Sequence, residues 1–185
     1  MSETKTKPVA ESSTSEPVFG TWTNGTLAFL VLRLWLAVRA IVTGIEKFAA
    51  PIKVKKPLLD DLGMPDPSGA MVEVKTKAYA LSNYHAVSDS LRDAFAQEPL
   101  LPAFAAKIYY ACLGPALLRL GFMLLLGIGT RISLFGMGLL YVSLTYGLIL
   151  LGQDGGIAWL GIHILMVAMA LTLAKHNRLT VMSKF

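Results

Sequence analysis

The sequence predicts an all-α fold: an integral membrane four-helix bundle with a long first loop that carries an amphipathic helix. Three observations carry this. The 185-residue chain is 54% hydrophobic and 16% charged, whereas soluble domains run at about 45–50% apolar and about 25% charged. Its mean hydropathy is +0.56. Four apolar stretches, 27–48, 104–128, 132–151 and 157–174, each approach the roughly 20 residues that a helix needs to cross a bilayer.

Residues 1–24 are polar and rich in Ser, Thr, Glu and Lys, with Pro8 and Pro17. No apolar core with a cleavage site is present, so the segment reads as a disordered tail and not as a secretory signal. Trp22, just before the first span, suits the membrane interface.

The first span, LAFLVLRLWLAVRAIVTGIEKF, organises the rest. It carries Arg33, Arg39, Glu46 and Lys47, and ionisable groups in a span face a bundle interior, a wet cavity or a charged partner. At 3.6 residues per turn, Arg33, Ala37, Ala40, Gly44 and Lys47 share one stripe. Arg39 and Glu46 fall on a second. Such a helix is no passive lipid-facing anchor.

Pro51 ends the span and opens a loop of Lys53, Lys55 and Lys56, followed by LLDDLGMPDPSGAM, whose Pro, Gly and Asp content marks turns. From 78 to 95 the pattern turns helical. Tyr84, Val87, Leu91 and Phe95 recur at three- and four-residue steps, with Asp89, Arg92 and Asp93 on other faces. This predicts an amphipathic helix on the membrane surface or against the bundle mouth, with His85 as part of its packing.

The second span contains Lys107 near its start, Arg119 inside it and Pro115 mid-way. That proline removes a backbone hydrogen bond. Gly129-Thr130-Arg131 is a tight turn. The third span has no charge, although Ser143, Thr145 and Tyr146 offer hydroxyls, and 152–156 is a short loop. The fourth span carries only His163, and a basic C-terminal tail, 176–185, follows Lys175. Short connections make spans two, three and four antiparallel neighbours. An even number of spans puts both termini on one side. The balance of Lys and Arg in the loops places that side in the cytoplasm of a cell inner membrane.

Composition also excludes. The net charge of +5 and pI near 9.4 lie in tails, loops and helix ends, as topology requires, so nucleic acid is not the expected partner. Cys112 is the only cysteine, which removes an intrachain disulfide and any cysteine metal cluster; a buried structural thiol is expected. No zinc spacing, phosphate loop or histidine pair for haem is present. The expectation is a chain with no metal and no cofactor bound by itself, with quinone possible.

Arg33, Gly44 and Lys47-Phe48 in span one resemble the Arg-to-Gly-x-x-Lys signature of the DoxX/DoxD membrane family. Gly121, Gly127, Thr130 and Arg131 resemble its Gly-x-x-Leu-Leu-Leu-Gly-x-x-Thr-Arg at the end of span two. The resemblance covers spans one and two by motif and the rest by topology. It implies a four-span fold similar to that of the small DoxD-type subunit of thiosulfate:quinone oxidoreductase. The chain departs from the family at Leu117, where an acidic residue is frequent.

Within the spans Arg33, Arg39 and Arg119 face one acid, Glu46, and arginine stays protonated even when buried. Lipid phosphate, a partner's acid or an anionic substrate are the possible counter-charges. Arg33 and Lys47 can instead snorkel to the two interfaces; Arg39, nearer mid-span, calls for a specific partner. His163 falls in the same leaflet as Glu46. The two are either a proton- or quinone-linked pair, or His163 is simply satisfied by a neighbouring hydroxyl or carbonyl. The candidate ligand- or partner-binding residues are therefore Arg33, Arg39, Glu46, Lys47, Arg119 and His163, with catalytic residues unassigned. Two functions fit. One is an accessory or anchoring subunit of a respiratory, quinone-linked complex, held to lipid and to other membrane subunits. The other is a catalytic subunit that binds a small sulfur-oxyanion and quinone. A small-solute transporter fits less well, since no inverted repeat or broken helix pair is seen.

Overall fold

The computed structural model describes residues 17–19, 22–58, 64 and 68–179. Four helices are long and apolar enough to cross a membrane: α1 (Asn24–Glu46), α3 (Ala103–Leu126), α4 (Thr130–Leu150) and α5 (Asp154–Leu173). A shorter helix, α2 (Asp89–Gln97), precedes α3. Two antiparallel ribbons complete the element set: β1 (Pro17–Phe19) with β2 (Trp22–Thr23), and β3 (Ala49–Pro57) with β4 (Met71–Tyr79).

The chain ends of the helices explain their limits. Thr23 caps α1, its hydroxyl accepting from the Thr26 amide at 3.3 Å, which satisfies a donor that the first turn leaves free. α3 ends where Gly127 turns left-handed, φ +74°, and the Ile128 amide returns to the Met123 carbonyl at 2.8 Å. Gly129, φ +51°, then starts α4. Two left-handed residues in three positions make this turn a site for glycine. The spans thus fall within a few residues of their expected bounds.

α1 packs on α3 and α5, α3 on α4, and α4 on α5. The core runs along these seams through Phe29, Leu36, Leu117, Leu124, Leu134 and Met137. Close approach depends on small residues. A Cβ at Gly44 would stand 2.8 Å from the Leu118 side chain, and one at Gly121 would stand 3.1 Å from the Ile41 backbone. Ala40 is buried in the same contact. Gly136 and Gly138 likewise meet Leu120 and Val167. These small faces are used inside the fold.

The first loop differs from its prediction. Ile52↔Thr76, Lys53↔Lys75 and Val54↔Val74 are cross-strand partners in a nine-residue hairpin, so the chain is not purely α-helical. The expected helix over 78–95 is shorter and later. Strand β4 runs to Tyr79, a 3-10 turn takes Leu81–Asn83, and α-helix begins only at Asp89. The reason lies in Tyr84, whose ring turns inward onto α3 and away from any face it would share with Leu91 and Phe95. Of the expected tail 1–24, residues 17–19 and 22–23 form the first ribbon; residues 1–16 lie outside the described residues, as do 180–185 of the basic tail. Cys112, expected to be buried, is exposed on α3. In a spanning helix an apolar run is solvated by lipid, so it gives no measure of burial in protein.

Candidate functional site

α1 and α3 meet in antiparallel fashion, and the turn that ends α3 lies at the end of the bundle where α1 begins and α5 finishes. Arg33 serves that end. It is 4% exposed, and its guanidinium donates to Asn177 Oδ1 at 3.0 Å, to the Leu125 carbonyl at 3.1 Å and to the Leu179 carbonyl. Asn177 in turn donates to Thr130 Oγ1 at 2.9 Å. The Leu125 carbonyl is among the last four of α3, which a helix leaves without internal partners. A cation there also suits the helix dipole. Arg33 therefore does not snorkel: it clips the segment after α5 onto the bundle, with its Nε buried and without a partner among the described residues.

The other half of the bundle holds a cavity of about 120 Å³ between all four long helices. Arg39 and Thr43 of α1 line it with Lys47, the residue after α1. Leu113 and Leu117 of α3, Tyr141 and Leu144 of α4, and Trp159, Leu160 and His163 of α5 form the rest. Residues 39, 43 and 47 follow one another at four-residue steps, the spacing of one helix face. No carboxylate lines this space. Lys47 is held by the chain that follows it, since the His85 amide donates to its carbonyl at 2.8 Å. Burial pushes the Lys47 ammonium below the usual lysine range.

Two polar atoms here lack partners among the described residues: the Tyr141 hydroxyl and His163 Nε2, both buried. The two rings meet edge to face, with centroids 5.4 Å apart. His163 Nδ1 lies 2.8 Å from the Trp159 carbonyl. A carbonyl can only accept, so Nδ1 carries a proton. Nε2 is then an acceptor in the neutral ring and a donor in the imidazolium. Buried polar groups are nearly always paired in folded proteins, so two orphans beside two cations mark this cavity as the candidate site. An anion with several oxygens matches that set.

The fold brings together three of the six residues singled out from the sequence: Arg39, Lys47 and His163. Glu46 is elsewhere. It points to the hairpin and accepts from Lys77 Nζ at 2.9 Å, and this bond raises the Lys77 ammonium above its ordinary range. Glu46 and His163 therefore do not pair, and of the two readings the structure shows the histidine against a carbonyl, that of Trp159. Arg119 lies exposed on the outer face of α3. Three residues of the cavity escaped sequence reasoning: Thr43, Tyr141 and Trp159. Tyr141 was within reach, since Leu134, Met137 and Tyr141 recur at three- and four-residue steps and are all buried.

Among the described residues no group of three or more His, Cys, Asp and Glu side chains converges as a metal site. No protein-family model, no curated protein and no solved structure matches this chain.

Proposed function

We propose that the chain is a multi-pass membrane subunit of the DoxX/DoxD type that holds a small oxyanion in the cavity between its four long helices. One observation supports this above the others: Arg39 and Lys47 line a space without carboxylates, where the Tyr141 hydroxyl and His163 Nε2 are buried and unpaired. Arg39 remains charged whatever surrounds it, and a charge at the edge of a low-dielectric space attracts a counter-ion strongly. Tyr141 donates to one oxygen. His163 accepts a hydrogen from a protonated oxyanion, or takes a proton itself and donates to a fully ionised one. An apolar cavity of about 150 Å³ accommodates benzene. The space here is about 120 Å³, which suits an ion of a few atoms. A quinone, if one reacts, sits outside it. The resemblance to the small subunit of thiosulfate:quinone oxidoreductase makes thiosulfate the first ligand to try.

We place both termini in the cytoplasm. Arg131, Lys175 and Arg178 flank the spans at that end, whereas the short loop between α4 and α5 carries no cation. The cavity then lies in the outer half of the inner membrane. An accessory, anchoring role in a redox complex is the second reading. It is favoured by Arg119, whose charge on an outward helix face suits a partner's carboxylate.

Trp159 lines the cavity and reports on it. In a variant with Trp22→Phe and Trp35→Phe, thiosulfate titrated onto the protein in nanodiscs is expected to change tryptophan fluorescence saturably. Arg39→Gln removes that change and Arg119→Gln keeps it. No saturable response to thiosulfate, sulfite or sulfate would end the oxyanion reading.

A further inference from the structure

A second groove lies outside the bundle, where α2 rests against α3 and α4. One part, about 160 Å³, is walled by Tyr109, Ser143, Tyr146 and Gly147 and is nearly all apolar. The adjoining part, about 200 Å³, is walled by Arg92 and Lys107. Phe95, Leu101, Ala106 and Tyr110 line both, so the two parts are one groove with an apolar end and a cationic end.

Its construction is specific. Phe95 of α2 approaches α4 at Gly147, where a Cβ would stand 3.2 Å from the ring. The same ring lies against Tyr110, centroids 6.5 Å apart. The Tyr110 hydroxyl is buried and has no partner among the described residues. Lys107 is four residues into α3, about 6 Å along the axis, which puts it near the membrane surface on which an amphipathic helix such as α2 lies. Among the described residues no acid lines the groove; Asp89 and Asp93 of α2 are exposed and outside its lining.

We infer that this groove binds an anionic phospholipid. One acyl chain lies between Tyr109 and Tyr146, and the phosphate meets Arg92 and Lys107. The Tyr110 hydroxyl, between the two ends, donates to an ester carbonyl. Charge selects the headgroup: two cations attract a phosphate, and without a carboxylate nothing receives the ammonium of a zwitterionic lipid. Basic pockets beside spanning helices hold anionic headgroups by this logic.

Native mass spectrometry of the delipidated full chain tests it, with dioleoyl phosphatidylglycerol and dioleoyl phosphatidylcholine added separately. Phosphatidylglycerol is expected to remain bound at one molecule per chain and to be held more tightly than phosphatidylcholine. Arg92→Gln with Lys107→Gln should weaken phosphatidylglycerol about thirtyfold, from about fivefold per cation near a membrane surface. Both side chains are exposed, so their neutralisation leaves the fold intact. Lys175→Gln with Arg178→Gln, at the opposite end, should change nothing. Equal retention of the two lipids overturns the inference. So does a phosphatidylglycerol preference that survives the Arg92/Lys107 pair of substitutions.

Discussion

Arg33, Arg39 and Arg119 carry the same charge on the same kind of helix, and their surroundings separate them. Arg33 donates from both terminal nitrogens to neutral acceptors, Arg39 borders the cavity between the helices, and Arg119 faces outward. Arg33→Ala is therefore a stability substitution. It removes hydrogen bonds of a charged donor, each worth about 1.5–3 kcal/mol and not fully additive, and it frees the segment after α5. Limited proteolysis should cut near Asn177 sooner in that variant, with anion binding kept. Lys47 gives the pH prediction. Its ammonium is held below the usual lysine value of about 10.4 by burial, and a bound anion would favour the charged form. The complex thus binds a proton more firmly than the empty protein does. Affinity should fall as pH rises through the lowered Lys47 range. It should stop falling once the lysine of the complex has also lost its proton. In Lys47→Gln this alkaline fall should be absent from the same fluorescence titration, because Arg39 stays charged throughout.

Elements show where reading by pattern succeeds and where it stops. Pro115 has no N–H to return to the Ala111 carbonyl, and at the neighbouring pair of backbone groups α3 takes in a residue from far away in the chain. The Tyr84 hydroxyl donates to the Tyr110 carbonyl and accepts from the Gly114 amide at 3.1 Å. A regular helix would join those two backbone groups to each other. Gly114 makes room, since a Cβ there would stand 2.5 Å from the Tyr84 ring; Phe48 backs that ring with centroids 5.0 Å apart. Tyr84→Phe leaves two buried backbone groups short of partners, at about 1–3 kcal/mol each. Amide exchange at Gly114 should accelerate and the melting temperature in detergent should drop. The spans were legible because lipid imposes length and apolarity on each helix by itself. The hairpin was missed, since only turns and a helix were expected there, although a different period carries it. Val72, Val74, Thr76 and Ala78 alternate with Glu73, Lys75 and Lys77, which is a strand pattern. The Tyr84 insertion was not legible. It joins residues 26 and 30 positions apart, and no local pattern encodes such a contact. The same holds for the cavity: Arg39, Lys47 and His163 each stood out as polar groups in or beside apolar runs, whereas their convergence depends on how the helices rotate against one another.

At the scale of the whole molecule, one end is tied shut and the other carries the sites. Arg33, Asn177 and Thr130 knit the end where α1 begins and α5 finishes. The cavity, the lipid groove and the hairpin gather in the other half, joined through Lys47, His85 and the Glu46–Lys77 bond. Outward helix faces are broadly apolar, with Val31, Trp35, Phe104, Ile108, Phe135 and Leu165 exposed, as a lipid-facing surface requires. Arg119 interrupts that surface. It lies seven residues before the last of α3, about 10 Å from that end, so lipid headgroups at the tied end lie at the limit of its reach. The accessory reading has a sharp consequence here. If a partner's carboxylate covers Arg119, removing the guanidinium leaves that acid buried and unpaired, an outcome that destabilises interfaces by several kcal/mol. Mild-detergent purification from native membranes followed by native mass spectrometry would then show a co-migrating subunit with the wild-type chain and its loss in Arg119→Leu. Thiosulfate binding at the cavity would be unchanged, because Arg119 does not line it. A chain that runs without any other subunit, with or without Arg119, would remove the accessory reading and leave the cavity as the whole of its function.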